Sequence, residues 1–193
     1  IYTVDDIIKK GYSPIALRLF YISGNYRQQQ NFTIEALTNT QKTLEGIYSF
    51  IERLVEIKNK EKNADTNEFK KKIRQLKKEF FKALDDDISA PEALAKMHAI
   101  ISRTNSRSKL NRVEAKSVIK AMLEIDEVLG LKLNEHAEKK KPLDKDIQSL
   151  VDEREKARKE KNFKRSDEIR ALLKEKYRVI LEDTSTGVTW RHF

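Results

Sequence analysis

The chain has 193 residues, 37% of them charged and 38% apolar, with five glycines, three prolines and no cysteine. Its formal charge of +9 favours a polyanionic partner. The absence of cysteine excludes disulfides and thiolate zinc sites. No apolar run approaches the ~20 residues of a membrane-spanning helix, and no segment has the apolar core of a signal peptide. The expected compartment is the cytosol, and the start at Ile1 rather than Met suggests a fragment of a longer protein.

Lys, Glu, Leu, Ala and Ile dominate, a composition that suits helices. Residues 1–12 read as a junction. Ser13 can cap a first helix, with Pro14 at its first position and IALRLFYIS after it. The polar connection YRQQQNF follows. Thr33 then opens a long helix whose Leu37, Leu44, Ile47, Ile51 and Leu54 form one apolar stripe. After a charged loop over 58–66, a third helix buries Phe69, Ile73, Leu76, Phe80 and Leu84, and shows solvent Lys70, Lys71, Arg74, Lys77 and Lys78.

Pro91 opens a fourth helix with Leu94, Met97 and Ile101 inward. A fifth carries Val118, Met122, Ile125 and Leu129 and stops at Gly130. Five amphipathic helices with short links predict an antiparallel bundle over 13–130. Arg18, between Leu17 and Leu19, is expected to pair with an acid at the bundle seam.

Beyond Gly130 the texture becomes polar, and 131–143 reads as a linker ending near Pro142. A small module over 144–193 follows. A helix over 144–160 places Ile147, Leu150, Val151 and Ala157 on one side. Asn162 can cap another helix, running to about Lys176, with Ile169, Leu172 and Leu173 inward. YRVILED and VTWRHF then read as two strands joined by TSTG, with Gly187 at a turn position of positive φ. The expected fold is therefore mainly α: an antiparallel helical bundle followed by a small α+β module of two helices and a β-hairpin.

The stretch RKEKNFKRSDEIR, 158–170, sets one aromatic among cations. If Asn162 caps the helix, Phe163 is its first residue, beside free backbone N–H groups and the positive end of the helix dipole. A flat ring amid cations suits the stacking of an unpaired base. Arg158 adds a planar forked donor, and Asp167, one turn along, an acceptor for an amino edge. Lys161, Lys164 and Arg165 add positive charge for RNA, and Arg191, with Arg178 and Lys176, could hold phosphate. The structural alternative packs Phe163 into the corner and leaves the charges solvated.

Other groups carry less chemistry. Asp85, Asp86 and Asp87 are adjacent, so they point apart, and suit capping or an arginine partner better than a cation. His98, His136 and His192 lie in unrelated segments without ligand spacing. Trp190 reads as the anchor that packs a strand on helices.

The stretches DEREKAR, KNFKRSDEIR, LEDTSTG and VTWR together resemble the C-terminal domain of the cysteinyl-tRNA synthetase family. PIALRLFYISGNYR with NFT looks like that family's opening bundle segment, the DALR element, and FFKALDDDISAPEAL like its aspartate-rich helix junction. These landmarks fall in family order and cover nearly the whole chain. The resemblance implies an upstream Rossmann-type catalytic domain, absent here, that would hold ATP and zinc, with residues 1–12 as the junction from it. It implies no cofactor within these residues, and cysteine tRNA as partner. It implies anticodon reading by Arg158, Phe163 and Asp167, which match the family's Arg, helix-start aromatic and Asp. The rival expectation is a helical protein–protein interaction module without RNA recognition.

Overall fold

A computed structural model of the protein describes residues 2–61, 63–138, 145–160, 162–177, 179–184 and 187–192. The chain divides into two compact units, Ile1–Lys140 and Lys141–Phe193.

The first unit holds α1 (Val4–Lys9), α2 (Pro14–Ile22), α3 (Ile34–Val55), α4 (Thr66–Asp85), α5 (Ala90–Asn105), α6 (Arg112–Leu129) and α7 (Leu133–Ala137). Local chemistry sets many of the starts. Ser13 Oγ accepts from the Ile15 N–H, with Pro14 at the first position of α2, and Thr33 Oγ1 accepts from the Ala36 N–H of α3. Asn111 and Glu114 form a capping box on α6. The apolar stripes of these helices close on one core, with Leu37, Ile51, Ile73, Phe80, Met97 and Ile125 fully buried in it.

Several expectations need correcting. The bundle is not simply antiparallel. α4 and α5 run antiparallel, as the pairs Asp65–Arg107 and Glu79–Lys96 show. α6, however, packs mainly on α4 rather than on its chain neighbour α5. It runs parallel to α4, since Thr66 meets Glu114 and Lys77 meets Glu124. Residues 1–12 are not a bare junction. A Thr3–Asp6 capping box starts α1, which buries Ile7.

The expected linker at 131–143 begins inside the bundle. Leu131 and Leu133 are fully buried there. The Asp126 carboxylate accepts from their N–H groups at 2.6 and 2.7 Å, which holds the turn into α7 and the left-handed Lys132 within it. Gly130 is left-handed at φ 63°, as its stop position requires. Arg18 reaches a carbonyl rather than an acid: its Nε donates to Leu129 O at 2.5 Å, covering the C-terminal end of α6.

The second unit holds α8 (Lys145–Lys159), α9 (Phe163–Tyr177), β1 (Val179–Thr184) and β2 (Gly187–His192). Its small core joins Ile147 and Val151 of α8, Ile169 and Leu173 of α9, and Val179 and Leu181 of β1. The expectation of an α+β module is corrected toward helix. Strand pairing among the described residues is confined to one antiparallel two-stranded ladder, too narrow to form a layer of its own. Gly187 stands opposite Thr184 as the first residue of β2 rather than within the turn, and residues 185 and 186 lie outside the described ones. Leu172, expected inward, is exposed.

Candidate nucleic-acid interface

The corner between α8 and α9 is closed by backbone. The Asn162 N–H donates to Ala157 O at 2.8 Å, and the Ser166 N–H to Asn162 O at 3.2 Å. Asn162 Oδ1 accepts from the Arg165 N–H at 3.2 Å, so its side chain caps α9. Phe163 is the first helical residue, and 62% of it is exposed. The core side of α9 is made instead by Ser166, Ile169 and Leu173. The cap thus orients the helix so that its first side chain projects away from the small core.

Asp167 and Arg170 follow Phe163 at i+4 and i+7, which puts the three on one face of α9. Asp167 and Arg170 are both exposed. Arg158 lies in the last turn of α8, on the other side of the corner, and is exposed as well. Lys164 is exposed beside Phe163. The first turn of α9 contains no acid, so the positive end of its dipole is left unopposed. Aromatic face, forked donors and carboxylate acceptor are the groups needed to stack a base and address its edges.

Arg165 does something else. Its Nη2 donates to Glu153 Oε1 at 2.8 Å and its Nε to the same oxygen at 3.0 Å, while Nη1 reaches Glu168 at 3.3 Å. The Glu153 carboxylate, and then Glu168, raise its already high pKa further. This arginine ties α9 to α8 through exposed ion pairs. Of the remaining candidates, Lys161 and Arg178 lie outside the described residues. For Arg191 only the backbone is described, in β2 opposite Ile180, and the same holds for Trp190, opposite Leu181.

Arg170 was missed by the sequence reading, although its i+7 spacing from Phe163 was available. Its Nη2 donates to Leu181 O at 3.4 Å, which leans it toward β1. The acidic run at the end of α4 acts through an arginine. Asp87 accepts from Arg27 Nη2 and from the Tyr26 hydroxyl, both at 2.8 Å.

Residues 79–134 match the DALR domain family. The match supports an anticodon-binding domain of the aminoacyl-tRNA synthetase kind, and with it tRNA as the class of partner. It covers the end of α4, α5, α6 and the start of α7. It reaches neither the PIALRLFYIS segment of α2 nor the second unit. Among the described residues, no helix is long and apolar enough to cross a membrane.

Proposed function

We propose that this chain is the tRNA-binding part of a cysteinyl-tRNA synthetase, and that its second unit reads the anticodon of cysteine tRNA. Phe163 stacks on an unpaired anticodon base. Arg158 and Asp167 address base edges or phosphate, and Lys164 contributes charge. The activation of cysteine, with its ATP and zinc, belongs to a catalytic domain outside these residues.

One observation carries the reading. Phe163 is 62% exposed at a capped helix start, on the same face as Asp167, while the core of its unit is filled by other residues. A large apolar side chain gains little from that position in the free protein, since most of its surface stays in water. A base stacked on it recovers that surface. The DALR domain match supports the wider class of anticodon-binding proteins, and the +9 charge suits a polyanion.

The test is binding of the chain to cysteine tRNA and to the same tRNA with its anticodon replaced, each at two salt concentrations. Affinity is expected to fall for the replaced anticodon and to fall steeply with salt for both. Phe163→Ala is expected to weaken binding to the native tRNA by about 1–3 kcal/mol, as the loss of one stacked base does. Equal affinity for the two tRNAs, unchanged by Phe163→Ala, would sink the anticodon reading.

A further inference from the structure

A groove of about 580 Å³ opens on the first unit between the C-terminal end of α3, the outer face of α6, and α7. Its floor is apolar, with Leu54 from the core and the half-buried Ile57, Ile119 and Leu123 beside it. One wall is basic. Arg112, Lys116 and Lys120 recur every fourth residue along α6, about 6 Å apart over roughly 12 Å of helix. All three are exposed, and none has an ion-pair partner among the described residues. Further along α6, Glu124 is already paired with Lys77, while Glu127 on the groove's rim is exposed.

We infer that this groove docks an amphipathic helix of a partner protein, one that presents a row of carboxylates along one edge. The volume lies within the range of sites that bind drug-sized ligands, ~300–1,000 Å³. Two features of the groove must be met together. An apolar floor is covered by hydrocarbon side chains at i, i+3, i+4 and i+7, the stripe that helix-in-groove partners offer. A cationic row at a pitch of about 6 Å matches carboxylates at every fourth residue of a helix lying alongside α6. A phosphate backbone would satisfy the cations, but it would leave the floor against sugar and water and would set charge against Glu127. The occupant is therefore a protein helix, acidic opposite Arg112 to Lys120 and with a base where it passes Glu127. The groove belongs to the first unit and the α8–α9 corner to the second, and the proposal does not rest on anticodon reading.

The experiment uses the full chain and a fluorescein-labelled helical peptide of about sixteen residues, with leucines on one stripe, glutamate at every fourth position on its edge and one lysine a turn beyond. Anisotropy is expected to show saturable binding that a scrambled peptide of equal composition lacks. Lys116→Glu with Lys120→Glu changes only exposed side chains, and is expected to weaken the peptide by at least about tenfold. A peptide with lysine in place of the glutamates is expected to bind that double variant better than it binds the parent chain. Restoration by charge exchange is a result that unfolding or general stickiness cannot produce. Absence of binding, equal binding of the scrambled peptide, or an unchanged double variant would overturn the proposal. So would a loss of cysteine tRNA affinity in the double variant without any peptide binding, since the row would then grip phosphate.

Discussion

At the start of α6, Asn111 caps the helix, Arg107 lies with its guanidinium 4.8 Å from the centre of the Phe69 ring, and that ring is 2% exposed. At the start of α9, Asn162 caps the helix, Arg165 turns sideways to Glu153 and Glu168, and the Phe163 ring is 62% exposed. The same three residue types build both places. What differs is the number of elements that converge. At the first place, α4, the end of α5 and the start of α6 come together. Glu114 is fully buried there between Arg107 at 2.5 Å, Thr66 at 2.9 Å and Asn63 at 3.0 Å, and Arg107 also holds Asp65 with two hydrogen bonds. At the second, two helices meet, and among the described residues no third element covers the ring. A corner enclosed on three sides buries its aromatic, while one enclosed on two leaves its ring open to solvent.

The largest separation between the two corners should appear on truncating their rings. Phe69→Ala is expected to destabilise the first unit by about 3–5 kcal/mol, the cost of an emptied aromatic site in a core. Phe163→Ala is expected to leave stability within about 0.5 kcal/mol of the parent, as exposed substitutions do. Urea unfolding of both variants checks this. A large loss of stability in Phe163→Ala would return that residue to a packing role.

The buried carboxylate comes next. Burial pushes the Glu114 carboxyl up, but the Arg107, Asn111 and Thr66 hydrogen bonds outweigh it and hold the group below its ordinary value of 4.5. Its contribution is therefore complete above that pH and is lost as the pH falls through the lower folded value. Glu114→Gln is expected to cost about 3 kcal/mol at neutral pH, as removing one partner of a buried pair does. It is also expected to flatten the acid limb of the stability profile. An unchanged acid limb in unfolding measured from pH 7 downward would show that the charge cluster does not govern it.

The caps give the smallest effect and the finest comparison. Both asparagines cap, and alanine at a cap costs about 0.5–2 kcal/mol. Asn111 is buried and also donates to Thr66 at 3.1 Å, so Asn111→Ala should fall at the upper end of that range. Asn162 is exposed, so Asn162→Ala should fall at the lower end. It should also lower tRNA affinity more than its stability cost would suggest, since the cap aims Phe163. Equal losses of stability in the two variants, read by thermal unfolding, would erase the distinction between the corners.

Much of this was legible in the residues. Ser13 with Pro14, Thr33, the apolar stripe through α3 and Gly130 each marked a boundary that the chain keeps, because caps, fixed φ values and amphipathic periodicity act within one or two turns. Asn162 was legible as a cap, and with it the position of Phe163 at the start of α9. The short helices α1 and α7 were not. Helices of six and five residues show no full period, and α7 owes its start to Asp126, a partner five to seven residues back along the chain. The parallel packing of α6 on α4 was also illegible, since it depends on which stripes fit each other rather than on their order. Arg18 looked like half of an ion pair because the carbonyl it binds is 111 residues away.

The exposure of Phe163 divides the two kinds of information most sharply. The sequence by itself determined that an aromatic starts a capped helix among cations, because capping and charge density are local properties. Whether that ring turns into the corner or out to solvent depended on what else filled the small core. Ile147, Val151, Ile169, Leu173, Val179 and Leu181 fill it from three separate elements. Only the tertiary structure could decide this, because the space left for a side chain is a property of all its neighbours at once.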